Sequence, residues 1–172
     1  MFLKRFKEKS NKKYFNNVLN QAKRTVPAGK IEAVGILLNF DEFNRYDQLR
    51  IAMKNIGFKD NKVRFIAFLE DDKEKPNSWD DFYSEVDFGW KGKIKNPQLE
   101  DFISTKFDAL ISYYKDPIPE LDYVTALSNA HFKIGISNHD HRLFDLIIDI
   151  ESKYLSVFEK ELNKYLKVLN KI

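Results

Sequence analysis

The sequence contains no cysteine, and it has only 2 tryptophans, 2 methionines and 6 glycines among 172 residues. The absence of cysteine excludes disulfide bridges, a thiolate nucleophile and any zinc or iron–sulfur centre held by cysteine. No apolar run approaches the ~18 residues of a membrane-spanning helix. The charged first thirty residues do not have the apolar stretch of a signal peptide. We therefore expect a cytoplasmic protein, with peripheral attachment at the inner membrane as the second placement.

The sequence also lacks the short motifs that commit a chain to a common chemistry. No G-x-G-x-x-G follows the first predicted strand, where residues 39–43 read NFDEF, and no Walker A loop occurs. The G-x-S-x-G elbow of serine hydrolases is missing, so we do not expect Ser137, His139 and Asp140 to form a hydrolase site. The sequence predicts no cofactor and no small-molecule ligand, and it favours a protein without catalytic activity.

Charge is distributed unevenly along the chain. Residues 1–30 contain nine basic side chains and the single acid Glu8, a net charge of +8. The other 142 residues contain 20 basic and 25 acidic side chains, a net charge of −5. An asymmetry of this kind is typical of proteins that contact nucleic acid or a membrane surface.

The basic segment has the pattern of an amphipathic helix. Its apolar side chains recur at helical spacing, and they are Leu3, Phe6, Phe15, Val18, Leu19 and Ala22. Pro27 and Gly29 then end the pattern. We divide the chain into a basic arm, residues 1–30, and one α/β domain, residues 31–172, which ends in a long amphipathic helix over 151–172.

The apolar stripe of the arm predicts that one side of the helix docks on the domain. The opposite side then presents its cations either to solvent alone or to phosphates. We predict a non-catalytic accessory protein that docks on an anionic macromolecule, first ribosomal RNA or a ribonucleoprotein and second an anionic membrane surface and its proteins. The predicted contact residues are Lys4, Arg5, Lys7, Lys9, Lys12, Lys13, Lys23 and Arg24.

Strand and helix patterns alternate through the domain. Strands are predicted over 33–40, 63–69, 85–88, 109–114, 132–136 and 143–150, and helices over 43–57, after Asn96-Pro97, after Pro119 and over 151–172. This order predicts a three-layer Rossmann-like or flavodoxin-like sandwich with a mostly parallel sheet. Only six residues separate Ile136 from Leu143, too few for a parallel crossover, so we expect an antiparallel edge.

The last predicted helix carries a narrow apolar seam. Its members step by 3, 4, 3, 4 and 3 residues, and they are Leu155, Phe158, Leu162, Tyr165, Leu169 and Ile172. The seam predicts packing on the domain, and a coiled-coil dimer is the alternative.

Ligands of parallel α/β sheets bind beyond the carboxyl ends of the strands. The candidate rim residues at those ends are Asp41, Asp71, Asp116, Ser137 and His139. Convergent acids would suit a divalent cation, but helix starts and solvated loops use the same residues, and we predict no metal site. Four aromatic residues surround the irregular loop after the second strand, suited either to stacking on a base or sugar or to packing on the domain. They are Trp79, Phe82, Tyr83 and Trp90.

The chain resembles an uncharacterised family of short, basic-armed proteins from Bacteroidota. The resemblance is carried by the opening MFLKRFKEK, the strand VGILLNF and the stretches FDALISYY, LSNAHFKIGIS and FDLIIDI. It covers nearly the whole length and implies no activity. Residues 107–136 are also similar to the amino-terminal Rossmann-like domain of heptosyltransferase-type glycosyltransferases, in which an A-x-x-x-I-G strand occurs as in Ala130 to Gly135. This second resemblance implies the alternative function, a small enzyme or ligand-binding domain, in the form of a degenerate glycosyltransferase half with a site at the rim.

Overall fold

Six parallel strands form one sheet in the computed structural model, which describes residues 2–23, 25–71 and 81–172. The strands are β1 (Val34–Asn39), β2 (Val63–Phe68), β3 (Asp81–Tyr83), β4 (Ala109–Tyr113), β5 (Phe132–Gly135) and β6 (Leu146–Ile147). They lie in the order β3-β2-β1-β4-β5-β6, which is the strand order of the Rossmann fold. Successive strands are therefore added on one side of β1 up to β3 and on its other side from β4 onward, so the strand order switches between β1 and β4.

Helices cover both faces of the sheet. They are α1 (Phe2–Gln21), α2 (Tyr46–Ile56), α3 (Pro97–Ser104), α4 (Pro119–Leu127) and α5 (Leu155–Val168). The face covered by α2 and α5 and the face covered by α3 and α4 each have their own apolar core. Helix α1 packs on the outside, against α4 and the turns that follow β3. The predicted α/β sandwich with amino- and carboxyl-terminal helices is confirmed.

The central strand β1 shows why its sequence is apolar throughout. Successive side chains of a strand point to opposite faces, so Ile36 and Leu38 join the core beneath α2 and α5, whereas Leu37 joins the core beneath α3 and α4. All three side chains are fully buried. Both faces are covered by helices, and the strand accordingly lacks the alternation of a half-exposed one.

Local signals in the sequence place several helix ends correctly. The side chain of Asn96 accepts hydrogen bonds from the backbone N–H groups of Gln98 and Leu99 at 3.0 and 3.1 Å, with Pro97 at the first helical position of α3. Gly57 ends α2 at a φ of 115°, where a side chain would be strained.

The strand predicted over 85–88 is wrong, because residues 85–87 form a 3₁₀ turn and β3 lies just before it.

The predicted antiparallel edge is also wrong, because β5 and β6 pair in parallel. The strand β6 is only two residues long, so the connection is the ten residues 136–145 rather than six. A single 3₁₀ turn, residues 141–143, crosses the sheet face in place of a helix. Phe144 then packs on Gly135, where a Cβ would lie 2.5 Å from the ring. A glycine in β5 therefore makes room for this unusually short crossover.

Helix α5 packs on the domain through part of the predicted seam. Phe158 and Leu162 are fully buried, and the next buried residue is Leu166 rather than Tyr165. Tyr165 and Leu169 are exposed by 36% and 46%. The buried face follows the i, i+4, i+8 rule of a helix that lies on a sheet, which differs from the 3.5-residue repeat of a coiled coil.

Candidate functional site

Helix α1 owes its stability to its contacts with the domain. It contains four asparagines, which are poor helix formers. Its first turn has no acid, and the cations Lys4 and Arg5 lie near its amino-terminal end. That arrangement opposes the helix dipole. An isolated helix of this sequence would therefore be weak.

The side chain of Asn11 fixes the middle of α1 to the segment after β3. Its Nδ2 donates to the carbonyl of Gly89 at 3.0 Å, and its Oδ1 accepts from the N–H of Gly92 at 3.0 Å. One turn further, Tyr14 covers Gly92, where a Cβ would lie 2.6 Å from the ring. Asn11 is 3% exposed, so both hydrogen bonds are shielded from water.

The second half of α1 is fixed to α4 and to the crossover between β5 and β6. The ring of Phe15 stacks on that of Tyr123, with centroids 3.4 Å apart. The guanidinium of Arg142 donates to Asn16 and Asn20 while it also pairs with Asp140 at 2.7 Å. The hydrogen bond from Arg142 lowers the pKa of Asp140. The whole helix is thus held in one orientation on the domain.

This orientation divides the predicted contact residues into two groups. Lys4 pairs with Glu85 at 3.0 Å, and Lys7 donates to the carbonyl of Phe88 at 3.4 Å, so both contact the domain. The other described cations are exposed, and they are Arg5, Lys9, Lys12, Lys13 and Lys23. Arg24 lies outside the described residues.

We call Arg5, Lys9, Lys12 and Lys13 the cationic face of α1. Within the part of the chain that the structure describes, none of these four side chains forms an ion pair. The only acid of the helix is Glu8. The cationic face is therefore available to an external anion.

The first residues of α1 do not dock as the apolar stripe predicts. Phe2, Leu3 and Phe6 are exposed by 80%, 75% and 59%, whereas Phe15 is 4% exposed. The domain contacts this end of the helix through Lys4 and Lys7 instead. An apolar cluster therefore lies at the exposed start of a basic helix. Among the described helices, none is both long and apolar enough to cross a bilayer.

A groove runs between α1 and the start of α4. It has two adjoining parts of about 560 and 310 Å³, which share Lys12, Pro119 and Tyr123 as lining residues. Glu120 lies in the larger part, and its burial raises the pKa of its carboxyl group. The side of α1 contributes Arg5, Lys9 and Lys12 and the side of α4 contributes Glu120 and Asp122, so these three members of the cationic face border an acidic wall but remain exposed to solvent.

Carboxylates of the chain itself close the rim of the sheet where the strand order switches, between β1 and β4. Asp41 accepts from the backbone N–H of Glu70 at 3.0 Å, which ties the loop after β1 to the loop after β2. Glu42 accepts from the N–H of Lys115 at 2.9 Å with both of its oxygens, and from that of Asp116 at 3.4 Å. In Rossmann enzymes the crevice between the loops after β1 and β4 holds the nucleotide, with its pyrophosphate on the turn after the first strand. Here Glu42, which lies after β1, spans that crevice to the backbone after β4.

Ser137 and His139 belong to a hydrogen-bonded chain at the same rim. The Oγ of Ser137 lies 2.7 Å from Nδ1 of His139, and Nε2 of His139 lies 2.9 Å from Asp122. The hydroxyl of Tyr114 also donates to Asp122 at 2.9 Å. Burial raises the pKa of Asp122, while the charge of His139 and these hydrogen bonds act in the opposite direction.

This chain has the connectivity of a Ser–His–Asp triad, but its serine is not presented to a substrate. Ser137 is 3% exposed, and its hydroxyl donates to the carbonyl of Lys115 at 2.8 Å. A nucleophilic serine needs an accessible Oγ whose proton passes to the histidine. The arrangement instead anchors the loop after β5 to the loop after β4.

The remaining rim candidates do not gather into one site. Asp71 and Asp116 are exposed, and among residues 2–23, 25–71 and 81–172 no three His, Asp or Glu side chains are grouped to hold a metal ion. Of the loop aromatics, Phe82 and Tyr83 are buried in β3, Trp90 is half exposed, and Trp79 lies outside the described residues. Phe82 and Tyr83 therefore pack in the core of the domain, as the second alternative predicts.

Residues 7–169 match the model of a family of unknown function, DUF6913. The chain belongs to this family. No curated protein and no solved structure matches the chain. The DUF6913 match begins at Lys7, so it includes Asn11, the cations Lys9, Lys12 and Lys13, and the whole sheet. It leaves out Phe2, Leu3 and Phe6.

Several residues that shape the candidate site of this chain are not evident from the sequence pattern. Asn11, Asn16 and Arg142 dock α1, and Asp122 holds His139, although these partners lie far apart along the chain. One local signal points to the first two. An asparagine within a helical pattern has an amide group that needs hydrogen-bond partners, and it therefore indicates that the helix is held by hydrogen bonds to another element.

Proposed function

We propose that this protein is a non-catalytic accessory protein that docks on an anionic, phosphate-bearing surface through the cationic face of α1. The observation that carries the proposal is that four unpaired cations share the exposed side of a helix fixed to the domain. Cations on a helix that is already fixed lose less conformational entropy on binding than cations on a flexible tail. Ribosomal RNA, a ribonucleoprotein and an anionic membrane surface all offer the required phosphates.

The experiment removes the cationic face and leaves the fold intact. The test variant is R5Q/K9Q/K12Q/K13Q, because glutamine has nearly the helix propensity of lysine and arginine. The matched control is K153Q/K160Q/K164Q/K167Q, which removes the same charge from exposed residues in and beside α5, on the other side of the sheet. Binding of each protein to purified ribosomes and to anionic vesicles is measured across a salt titration.

The two variants should differ in binding and agree in stability. Each lost phosphate contact lowers the salt slope of the binding constant by ~0.7–0.9, so the test variant should lose a slope of about 3 and most of its affinity at physiological salt. The control should bind as the wild type does. Equal binding by both variants would mean that the cationic face only keeps the protein in solution.

The second candidate function is a ligand site at the rim, where Ser137, His139 and Asp122 lie beside the carboxyl ends of the parallel strands. A Bacteroidota source and a degenerate glycosyltransferase half remain predictions of the two resemblances. This function requires a small molecule that raises the melting temperature in the wild type. The H139Q variant should lose that response, and the R5Q/K9Q/K12Q/K13Q variant should keep it.

A further inference from the structure

We infer that the anionic partner of α1 is a lipid bilayer, and that Phe2, Leu3 and Phe6 enter its interfacial layer while the cationic face contacts the headgroups. The inference rests on the proposed function, because it names the partner of the same surface. RNA, the other class of anionic partner, is an outcome of the experiment below.

The apolar cluster is the first argument for a bilayer. Phe2, Leu3 and Phe6 are at least 59% exposed, and positions 2 and 3 are each neighbours of position 6 on a helix. Val86, exposed by 59%, follows Glu85, the residue that pairs with Lys4. Clusters of exposed large apolar side chains usually mark a surface that another surface covers.

The combination of the apolar cluster with charge favours a bilayer as the partner. Helices that lie in a membrane interface place Phe and Leu beside Lys and Arg, so that apolar insertion and attraction to anionic headgroups act together. In α1, Arg5 lies within the apolar cluster, and the other three residues of the cationic face follow it within the next two turns. Contacts with RNA phosphates need only the cations. An exposed leucine has no role in base stacking, which requires aromatic or guanidinium planes.

The electrostatics of the helix end support the same partner. The first turn of α1 contains no acid, although its free N–H groups and its dipole favour negative charge there. Arg5 adds an unpaired positive charge at this end, whereas Lys4 is paired with Glu85. Headgroup phosphates that surround an inserted amino-terminal end would satisfy both the N–H groups and the cations.

The test compares two triple variants that remove three exposed apolar side chains each. F2S/L3S/F6S changes the proposed insertion site, and I51S/V157S/V168S changes exposed residues of α2 and α5 as the matched control. Binding is measured to phosphatidylcholine vesicles, to vesicles with 30% phosphatidylglycerol and to purified ribosomes, and melting temperatures report on the fold. We expect F2S/L3S/F6S to bind the anionic vesicles at least tenfold more weakly, about 1.4 kcal/mol, with unchanged ribosome binding and melting temperature.

Insertion itself is followed with a single tryptophan at the start of α1. In the F2W/W79F/W90F variant, the indole should shift its emission to the blue on anionic vesicles and be quenched by lipids with brominated acyl chains. The protein should bind weakly to vesicles of phosphatidylcholine alone, because stable attachment needs both apolar insertion and attraction to anionic headgroups.

The outcomes separate this inference from the proposed function. Wild-type protein that binds ribosomes but not vesicles overturns the bilayer and leaves the docking function in place. Wild-type protein that binds neither overturns both. An F2S/L3S/F6S variant with full affinity for anionic vesicles, or an indole at position 2 that brominated lipids do not quench, overturns the inference alone.

Discussion

Asn11 joins α1 to the rest of the molecule through two buried hydrogen bonds to backbone groups of residues 89 and 92. The N11A variant leaves both groups without a partner, so unfolding free energy should fall by ~1–3 kcal/mol, or α1 should detach locally. Urea unfolding and hydrogen exchange of α1 peptides measure the two effects. The control N17A, at an exposed position of the same helix, should change neither. Unaltered exchange in N11A would mean that the other contacts of α1, among them those of Phe15 and Arg142, hold the helix without Asn11.

Single residues also show what the sequence reveals about the site. The charge count identifies the basic helix, because charge is a property of composition. It does not separate Lys4 and Lys7, which hydrogen-bond to the domain, from Lys9 and Lys13, which are exposed. Their environments depend on residues about 80 positions away. The role of Glu42 as an internal anion is hidden for the same reason.

The crossover between β5 and β6 depends on the contact between Gly135 and Phe144. In G135A, the new methyl group overlaps the Phe144 ring, and overpacking should cost ~1–3 kcal/mol. The second change in G135A/F144L relieves this overlap, so the double variant should be less destabilised than the sum of the single ones. Urea unfolding of the four proteins gives the coupling energy. Additivity within ~0.5 kcal/mol would show that the ring does not press on the glycine.

Elements with strong local patterns are the ones that the sequence predicts well. The continuous apolar run of β1 and the Asn96-Pro97 start of α3 carry their own signals, and both are confirmed. The apolar run over 143–150 predicts a long strand, but β6 forms only two residues of it. A strand is predicted over 85–88, but Ser84 and Asp87 form a capping box that begins a 3₁₀ turn over residues 85–87. Strand propensity alone therefore does not set the extent of a strand.

At the scale of the whole molecule, buried tyrosines limit stability in alkali. Burial raises the pKa of Tyr123 to about 12 and that of Tyr83 and Tyr114 well above the ordinary value. The folded chain keeps phenol protons that the unfolded chain loses above pH ~10. Stability is therefore fully present below pH ~10 and should fall as pH rises above it, by at most ~1.4 kcal/mol per pH unit for each tyrosine.

Urea unfolding at pH 9, 10 and 11, with tyrosinate absorbance at 295 nm, measures this loss. Y123F should reduce the slope of stability against pH, and Y154F, at a position exposed by 50%, should leave it unchanged. A flat profile up to pH 11 would contradict the shielding of these phenols.

The contacts of α1 also bear on the order in which the chain assembles during synthesis. The helix docks on residues 88–92, on α4 and on Arg142, and Arg142 lies 122 positions beyond Asn20. At ~5–20 residues per second, roughly 6–24 s pass between the synthesis of Asn20 and that of Arg142. During this interval a cationic, partly apolar helix leaves the translation machinery without its intramolecular partners. A nascent chain can therefore meet an anionic surface before its domain has closed behind it.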